Sequence, residues 1–170
     1  MNLREYIRDV PNFPKEGIVY FDITPLLADP SAFQYAIDMM AEKFSDYKAN
    51  KIAAAEARGF IFGAPLAYKL GIGFVPIRKP GKLPYDTVSV SYDLEYGSDS
   101  LSMHVDAVSQ GEDVLLIDDV LATGGTAEGM IKLVEKAGGI VSGIGFLTEL
   151  GFLDGQSKLN GIPNKHLLKL

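Results

Sequence analysis

The chain has 170 residues, enough for one domain that buries about 70% of its unfolded surface, and its 47% apolar and 22% charged residues make a disordered tract improbable on composition. It contains no cysteine, which excludes disulfides, thiolate catalysis and cysteine zinc sites, and no apolar run nears the ~18 residues of a membrane span. A formal charge of −6 argues against non-specific nucleic-acid binding, and the charged start M-N-L-R-E-Y-I-R-D-V-P does not read as a secretory signal, so a cytoplasmic protein is expected.

In chain order, residues 1–30 read as a small N-terminal hood in which Ile18-Val19-Tyr20-Phe21-Asp22-Ile23 supplies aromatic surface. Tyr20 could stack on a planar ring while the main chain of Val19 and Phe21 reads its edge; core packing accounts equally well for Phe21 and Ile23. Ser31 to Tyr47 places Phe33, Ala36, Ile37, Met40, Phe44 and Tyr47 on one helical face, with Asp29-Pro30-Ser31 as its start. Lys51 to Glu56 is a short strand whose alanines allow a helix to pack tightly over it. A second helix runs from Ala57-Arg58-Gly59-Phe60 to Leu70-Gly71, and Phe74 to Ile77 is a further strand, weakened by Pro76.

Residues 78–105 break the strand-helix alternation. A basic, Pro/Gly-punctuated loop, Arg78 to Pro84, precedes period-two stretches at Val88, Val90, Tyr92, Leu94 and at Leu101, Met103, Val105, which predict an antiparallel hairpin around Gly97-Ser98 and a flexible lid. The apolar run Val114-Leu115-Leu116-Ile117 predicts a strand buried on both faces and ending in Asp118 and Asp119. The small-residue loop Ala122-Thr123-Gly124-Gly125-Thr126 leads into a helix with Met130, Leu133 and Val134 facing a core, closing at Gly138-Gly139 before the strand Ile140 to Leu147. The alternation predicts a single α/β domain, 1–170, with a central, mostly parallel sheet flanked by helices.

The stretch 114–126 carries the chemistry. A loop after a parallel strand, opening a helix, presents free N–H groups and a positive dipole end suited to a phosphate. Two adjacent carboxylates would repel that anion unless they hold sugar hydroxyls or a hydrated magnesium ion, so the implied ligand carries a phosphate and a diol. No Lys or Arg occurs between Lys82 and Lys132, so further cations must come from elsewhere; Arg58 and the cluster Arg78, Lys79, Lys82 are on offer. Taken alone, Arg58 reads as a surface ion-pair partner and the cluster as a solvated turn. The position of Arg58 after a strand shifts the odds towards a diphosphate contact, with Gly59 permitting close backbone approach, while the cluster sets three of the chain's 16 cations in five residues next to a segment that needs charge neutralised.

The string I-D-D-V-L-A-T-G-G-T resembles the signature of type I phosphoribosyltransferases, which bind 5-phosphoribosyl 1-diphosphate (PRPP). The strings R-K-P-G-K-L-P and S-Y-D-L-E-Y-G resemble the adenine-specific members of that family, over most of the chain from Phe13 to about Glu149. The resemblance implies transfer to adenine, giving AMP and diphosphate, with Mg2+ on the diphosphate, in a homodimer. It assigns Asp118 and Asp119 to the ribose hydroxyls, Ala122 to Thr126 to the 5'-phosphate, and Arg58, Gly59, Arg78, Lys79 and Lys82 to the diphosphate, some of these last across the dimer interface. It also implies Glu95 as the proton exchanger on the base, Tyr96 as a positioning residue, and Val19, Tyr20, Phe21 and Leu150 around the base. One departure stands out: a common family form carries arginine at the Phe21 position, which main-chain contacts would survive but which leaves base selectivity less secured. Another purine base, hypoxanthine, guanine or xanthine, and a PRPP-sensing regulator are the rival readings. His104 and His166 share no metal-ligand spacing and read as structural.

Overall fold

The computed structural model describes residues 1–93 and 97–170. The chain divides into two compact units, Met1–Met39 and Met40–Leu170. In the first, a 3-10 turn at Leu3–Tyr6 precedes strands β1 (Arg8–Pro11) and β2 (Val19–Asp22), which pair antiparallel, and the short helix α1 (Thr24–Ala28). Helix α2 (Pro30–Lys43) begins as its sequence predicts, because Asp29 Oδ1 accepts from the N–H groups of Ser31 and Ala32 at 2.9 and 2.8 Å. It ends earlier than expected: Phe44 to Tyr47 turn away after Lys43, with the Tyr47 N–H bonded to the Phe44 carbonyl.

The second unit is built on a five-stranded sheet in the order β4-β3-β7-β8-β9. Its strands are β3 (Lys51–Ala55), β4 (Gly73–Ile77), β7 (Asp113–Leu121), β8 (Ile140–Glu149) and β9 (Asn164–Lys169), all parallel. Helices α3 (Arg58–Leu70) and α4 (Gly125–Lys136) are the crossovers, and a separate antiparallel hairpin, β5 (Thr87–Asp93) with β6 (Ser98–His104), matches the period-two expectation. Pro76 is tolerated because β4 is an edge strand.

Both faces of the sheet are covered, which is why β7 reads as an unbroken apolar run. Ala53, Val75, Val114, Leu116, Ile144 and Phe146 join a core with Met130, Ile131, Leu133 and Val134 of α4 and with Tyr92, Leu101 and Met103 of the hairpin. On the other face, α3 lies so close to β3 that a Cβ added to Gly63 would stand 2.9 Å from the Ala54 Cβ. Burying each of the large apolar side chains of β7 contributes about 1.5–3 kcal/mol. Helix α3 closes at Gly71 with φ +68°, as expected of a glycine C-cap. Among the described residues, no helix is long and apolar enough to cross a membrane.

Two features differ from the sequence expectation and both place the site. Strand β7 does not end at the acid pair; it runs on to Leu121, because β8 keeps pairing with it as far as Leu121 opposite Glu149. Its pairing with β3 stops at Ile117 opposite Ala54. Strand β9, unanticipated, lies outside β8 and pairs with it from Ile144 opposite Asn164 to Glu149 opposite Lys169.

Candidate active site

Beyond Ile117, β7 has a partner on one side only, and a cavity of about 230 Å3 opens on the other. It is lined by Glu56, Ala57 and Arg58 after β3 and by Asp118 to Ala127 of β7, the loop and α4. The strand order explains why a gap forms there. The crossover from β3 passes through α3 to β4 on one side, and that from β7 passes through α4 to β8 on the other, so the two connections diverge. Such a switch point at the carboxyl edge of a parallel sheet is where α/β proteins bind ligands.

The acid pair is deeply placed: Asp118 is 9% and Asp119 4% exposed. Burial, followed by the neighbouring Asp119 charge, drives the Asp118 carboxyl well above the usual carboxylate range. Burial also raises Asp119, against the opposing pull of Arg58. The Asp118 Oδ1 accepts from the Asp119 N–H at 2.9 Å, and the Thr148 hydroxyl donates to the Asp119 carbonyl at 3.2 Å, fixing this end of β7 to β8. Arg58 is the first residue of α3, and its Nε lies 2.9 Å from Asp119 Oδ2. Gly59 is the reason α3 can start so near: an added Cβ would meet Asp118 Oδ1 at 3.1 Å and the Ile117 carbonyl at 3.2 Å.

The loop opens α4 without a side-chain cap. Gly124 adopts φ +82° at the N-cap of α4 and supplies no side-chain cap, so the N–H groups of the first turn face the cavity rim without an intrahelical partner. Ala122, Thr123, Gly124, Gly125 and Thr126 all line the cavity together with Arg58 and the acid pair.

Arg78, Lys79 and Lys82 do not line that cavity. Arg78 Nε stands 3.3 Å from Glu56 Oε1, and the Lys79 N–H donates to the same Glu56 atom at 2.7 Å. These contacts, the Lys79 N–H first, hold the Glu56 carboxyl below its ordinary range. The Lys79 ammonium is bound to Asp99 on β6, which also accepts from the Tyr92 hydroxyl at 3.3 Å. Lys82 closes the turn, its N–H bonded to the Lys79 carbonyl, and its side chain is exposed. Glu56 is thus a site residue that sequence reasoning passed over, although it stands in the same E-A-R-G-F string as Arg58.

Leu150 follows β8, with its N–H bonded to the carbonyl of cavity-lining Leu121 at 2.9 Å. Val19, Tyr20 and Phe21 lie on β2 in the first unit, where Tyr20 meets Phe13 edge-on at 5.3 Å and the Arg4 guanidinium sits 5.8 Å from the Phe21 ring centre. Glu95 and Tyr96 lie outside the described residues. His166 Nδ1 is 2.8 Å from Glu149 Oε2, and burial lowers the imidazole pKa against that charge. His104 Nε2 accepts from the Tyr85 N–H at 3.4 Å. Among the described residues, no cluster of three His, Cys, Asp or Glu side chains could hold a metal ion alone.

Residues 22–147 match the phosphoribosyl transferase domain family. An adenine phosphoribosyltransferase of Maridesulfovibrio salexigens is 79% identical over 170 residues, covering 100% of both chains. A crystal structure of adenine phosphoribosyltransferase from Thermoanaerobacter pseudethanolicus superposes with a TM-score of 0.96 at 57% identity, covering 99% of this chain and 98% of that one. The Saccharomyces cerevisiae enzyme, solved with an imino-altritol bisphosphate and adenine, gives 0.91 at 41% identity over 98% of this chain and 96% of that one.

Proposed function

The chain belongs to the phosphoribosyl transferase family, in its adenine phosphoribosyltransferase branch, and we propose that the gap between β3 and β7 is where it holds PRPP for transfer to adenine, yielding AMP and diphosphate. The observation that carries this reading is the meeting, in one cavity, of a paired carboxylate on β7, an arginine opening α3 and an uncapped small-residue helix start.

In this reading the N–H groups of Thr123 to Thr126 receive the 5'-phosphate, and Asp118 and Asp119 accept from the ribose hydroxyls. Arg58, with Ala57 and the Gly59 backbone, faces the diphosphate; Arg78, Lys79 and Lys82 approach it from the basic loop. Purine N9 attacks C1 as the bond from C1 to the diphosphate oxygen breaks on the opposite face, its electron pair leaving with the diphosphate. As the N9–C1 bond forms the purine ring loses one proton, which Glu95 accepts, with Tyr96 positioning it. Val19, Tyr20, Phe21 and Leu150 take the base, the β2 main chain reading its edge. Closure of the segment 78–96 would exclude water, the competing nucleophile.

The donor set fits a Mg2+ ion carried by the diphosphate: two buried carboxylates facing one guanidinium leave the site short of positive charge. Bound there, the ion would offset the charge on the leaving diphosphate. We further place the enzyme in the cytoplasm as a homodimer, on the strength of the family resemblance.

Diphosphate release from PRPP and Mg2+ on adding adenine, against hypoxanthine, guanine and xanthine in parallel, tests the reading. Release with adenine at least about a hundredfold faster than with the others is expected, the discrimination a hydrogen-bonding base site supplies. Preference for an oxopurine would replace adenine as the substrate, a result the Phe21 departure makes worth seeking. No heat of PRPP binding in calorimetry with Mg2+ would remove the site assignment itself.

A further inference from the structure

The phosphate loop has a back wall that its own sequence does not disclose. A Cβ added to Gly124 would stand 2.4 Å from the Gly155 carbonyl oxygen, and one added to Gly155 would stand 2.2 Å from the Ala122 carbonyl oxygen. The loop and the 3-10 turn Gly155–Leu159 therefore touch main chain to main chain, a proximity that two glycines make possible. The turn is itself anchored: Leu159 is buried in the core, and the Gln156 amide donates to Glu149 Oε1 at 2.9 Å.

That contact sets the Cβ of Lys158 directly behind the loop, although Lys158 itself does not line the cavity. The cavity's arginine is engaged by Asp119, Arg78 by Glu56, and Lys79 by Asp99. Lys158 is half-buried, and its Cβ would lie 3.1 Å from a Cβ on Gly124. Among the described residues it has no ion pair competing for its charge, and its four-carbon stem starts beside the loop.

We propose that Lys158 is the charge partner of the ribose 5'-phosphate, with the turn Gly155–Leu159 holding it at the rear of the loop. The proposal rests on the reading that the loop takes the 5'-phosphate. A dianion held by neutral amides gains from a nearby ammonium, and that gain weakens with added salt.

The test compares wild type, Lys158→Gln and Lys158→Arg, using ribose 5-phosphate and inorganic diphosphate separately as competitive inhibitors against PRPP. In Lys158→Gln, ribose 5-phosphate binding should weaken about tenfold, the scale of one charge-assisted contact, while diphosphate binding holds. The KM for PRPP should rise similarly with kcat unchanged, and Lys158→Arg should restore most of the loss. The salt dependence of ribose 5-phosphate binding should be shallower in the Gln variant than in wild type. Unchanged affinity for both inhibitors, or equal weakening of both, would overturn the role of Lys158. If ribose 5-phosphate fails to compete even in wild type, the loop assignment falls and the proposal falls with it.

Discussion

Arg58 and Asp119 are locked together, Nε to Oδ2 at 2.9 Å, across the gap that separates the ends of β3 and β7. The pairing keeps a guanidinium at the cavity wall and partly compensates a carboxylate that burial would otherwise neutralise. Asp119→Asn should therefore lower kcat by about 10²-fold or more, the cost of losing one preorganised charged contact, with circular dichroism unchanged. Retention of wild-type turnover would remove Asp119 from the reaction.

The neighbouring acid, raised more strongly by burial, leaves its own signature in stability. The Asp118 pKa is raised in the fold, so its contribution is complete below the unfolded value near 3.8 and declines as pH rises towards the folded value. At pH 7 its burial as an acid therefore counts against stability. Asp118→Asn, similar in shape and uncharged, should raise the melting temperature at pH 7 by about 2–4 °C while reducing turnover. The gain should shrink on going to pH 4, and a lower melting temperature at pH 7 would contradict the argument.

Gly59 lets the first turn of α3 pack closely against β7. Gly59→Ala brings a methyl group to 3.1 Å from Asp118 Oδ1 and 3.2 Å from the Ile117 carbonyl. Chemical denaturation should show a loss of about 1–3 kcal/mol, the cost of overpacking, together with a raised KM for PRPP. A fully stable variant would mean that the helix shifts without strain.

Glu56 ties the basic loop to the cavity through Arg78 and the Lys79 N–H. Its folded pKa is lowered, so its stabilising effect is present above the unfolded value near 4.5 and is lost as pH falls through the folded value. Glu56→Gln should flatten the acid limb of the stability profile below about pH 5 and raise the KM for PRPP several-fold. A profile that superposes on wild type would dismiss the anchoring role.

The apolar run of β7, the helix periodicity of α4 and the glycine that closes α3 were legible because each is a local pattern with one physical cause. That the loop and its acids line one cavity follows from the same locality, since they stand within nine residues of one another. The true length of β7 was not, since residues 118–121 are held in the strand by β8, some 28 residues further along the chain at the Val120–Thr148 pair. Strand β9 escaped notice because N-K-H-L-L-K on an edge is only half-buried and shows no clean alternation. The capture of Lys79 by Asp99 depends on the hairpin lying beside the basic loop, which a composition count cannot disclose. In each case a distant partner decided the outcome.

Strand β9 also protects the sheet that carries the reaction. It covers the side of β8 that would otherwise offer a row of unpaired amides and carbonyls, and it ends the sheet with Lys165 and Lys169, the first paired to Asp46 at 2.5 Å. Charged edge strands discourage intermolecular strand addition. The C-terminal segment thus serves as a solubility guard, and chains shortened by proteolysis there would expose a template for polymerisation before any catalytic group was lost.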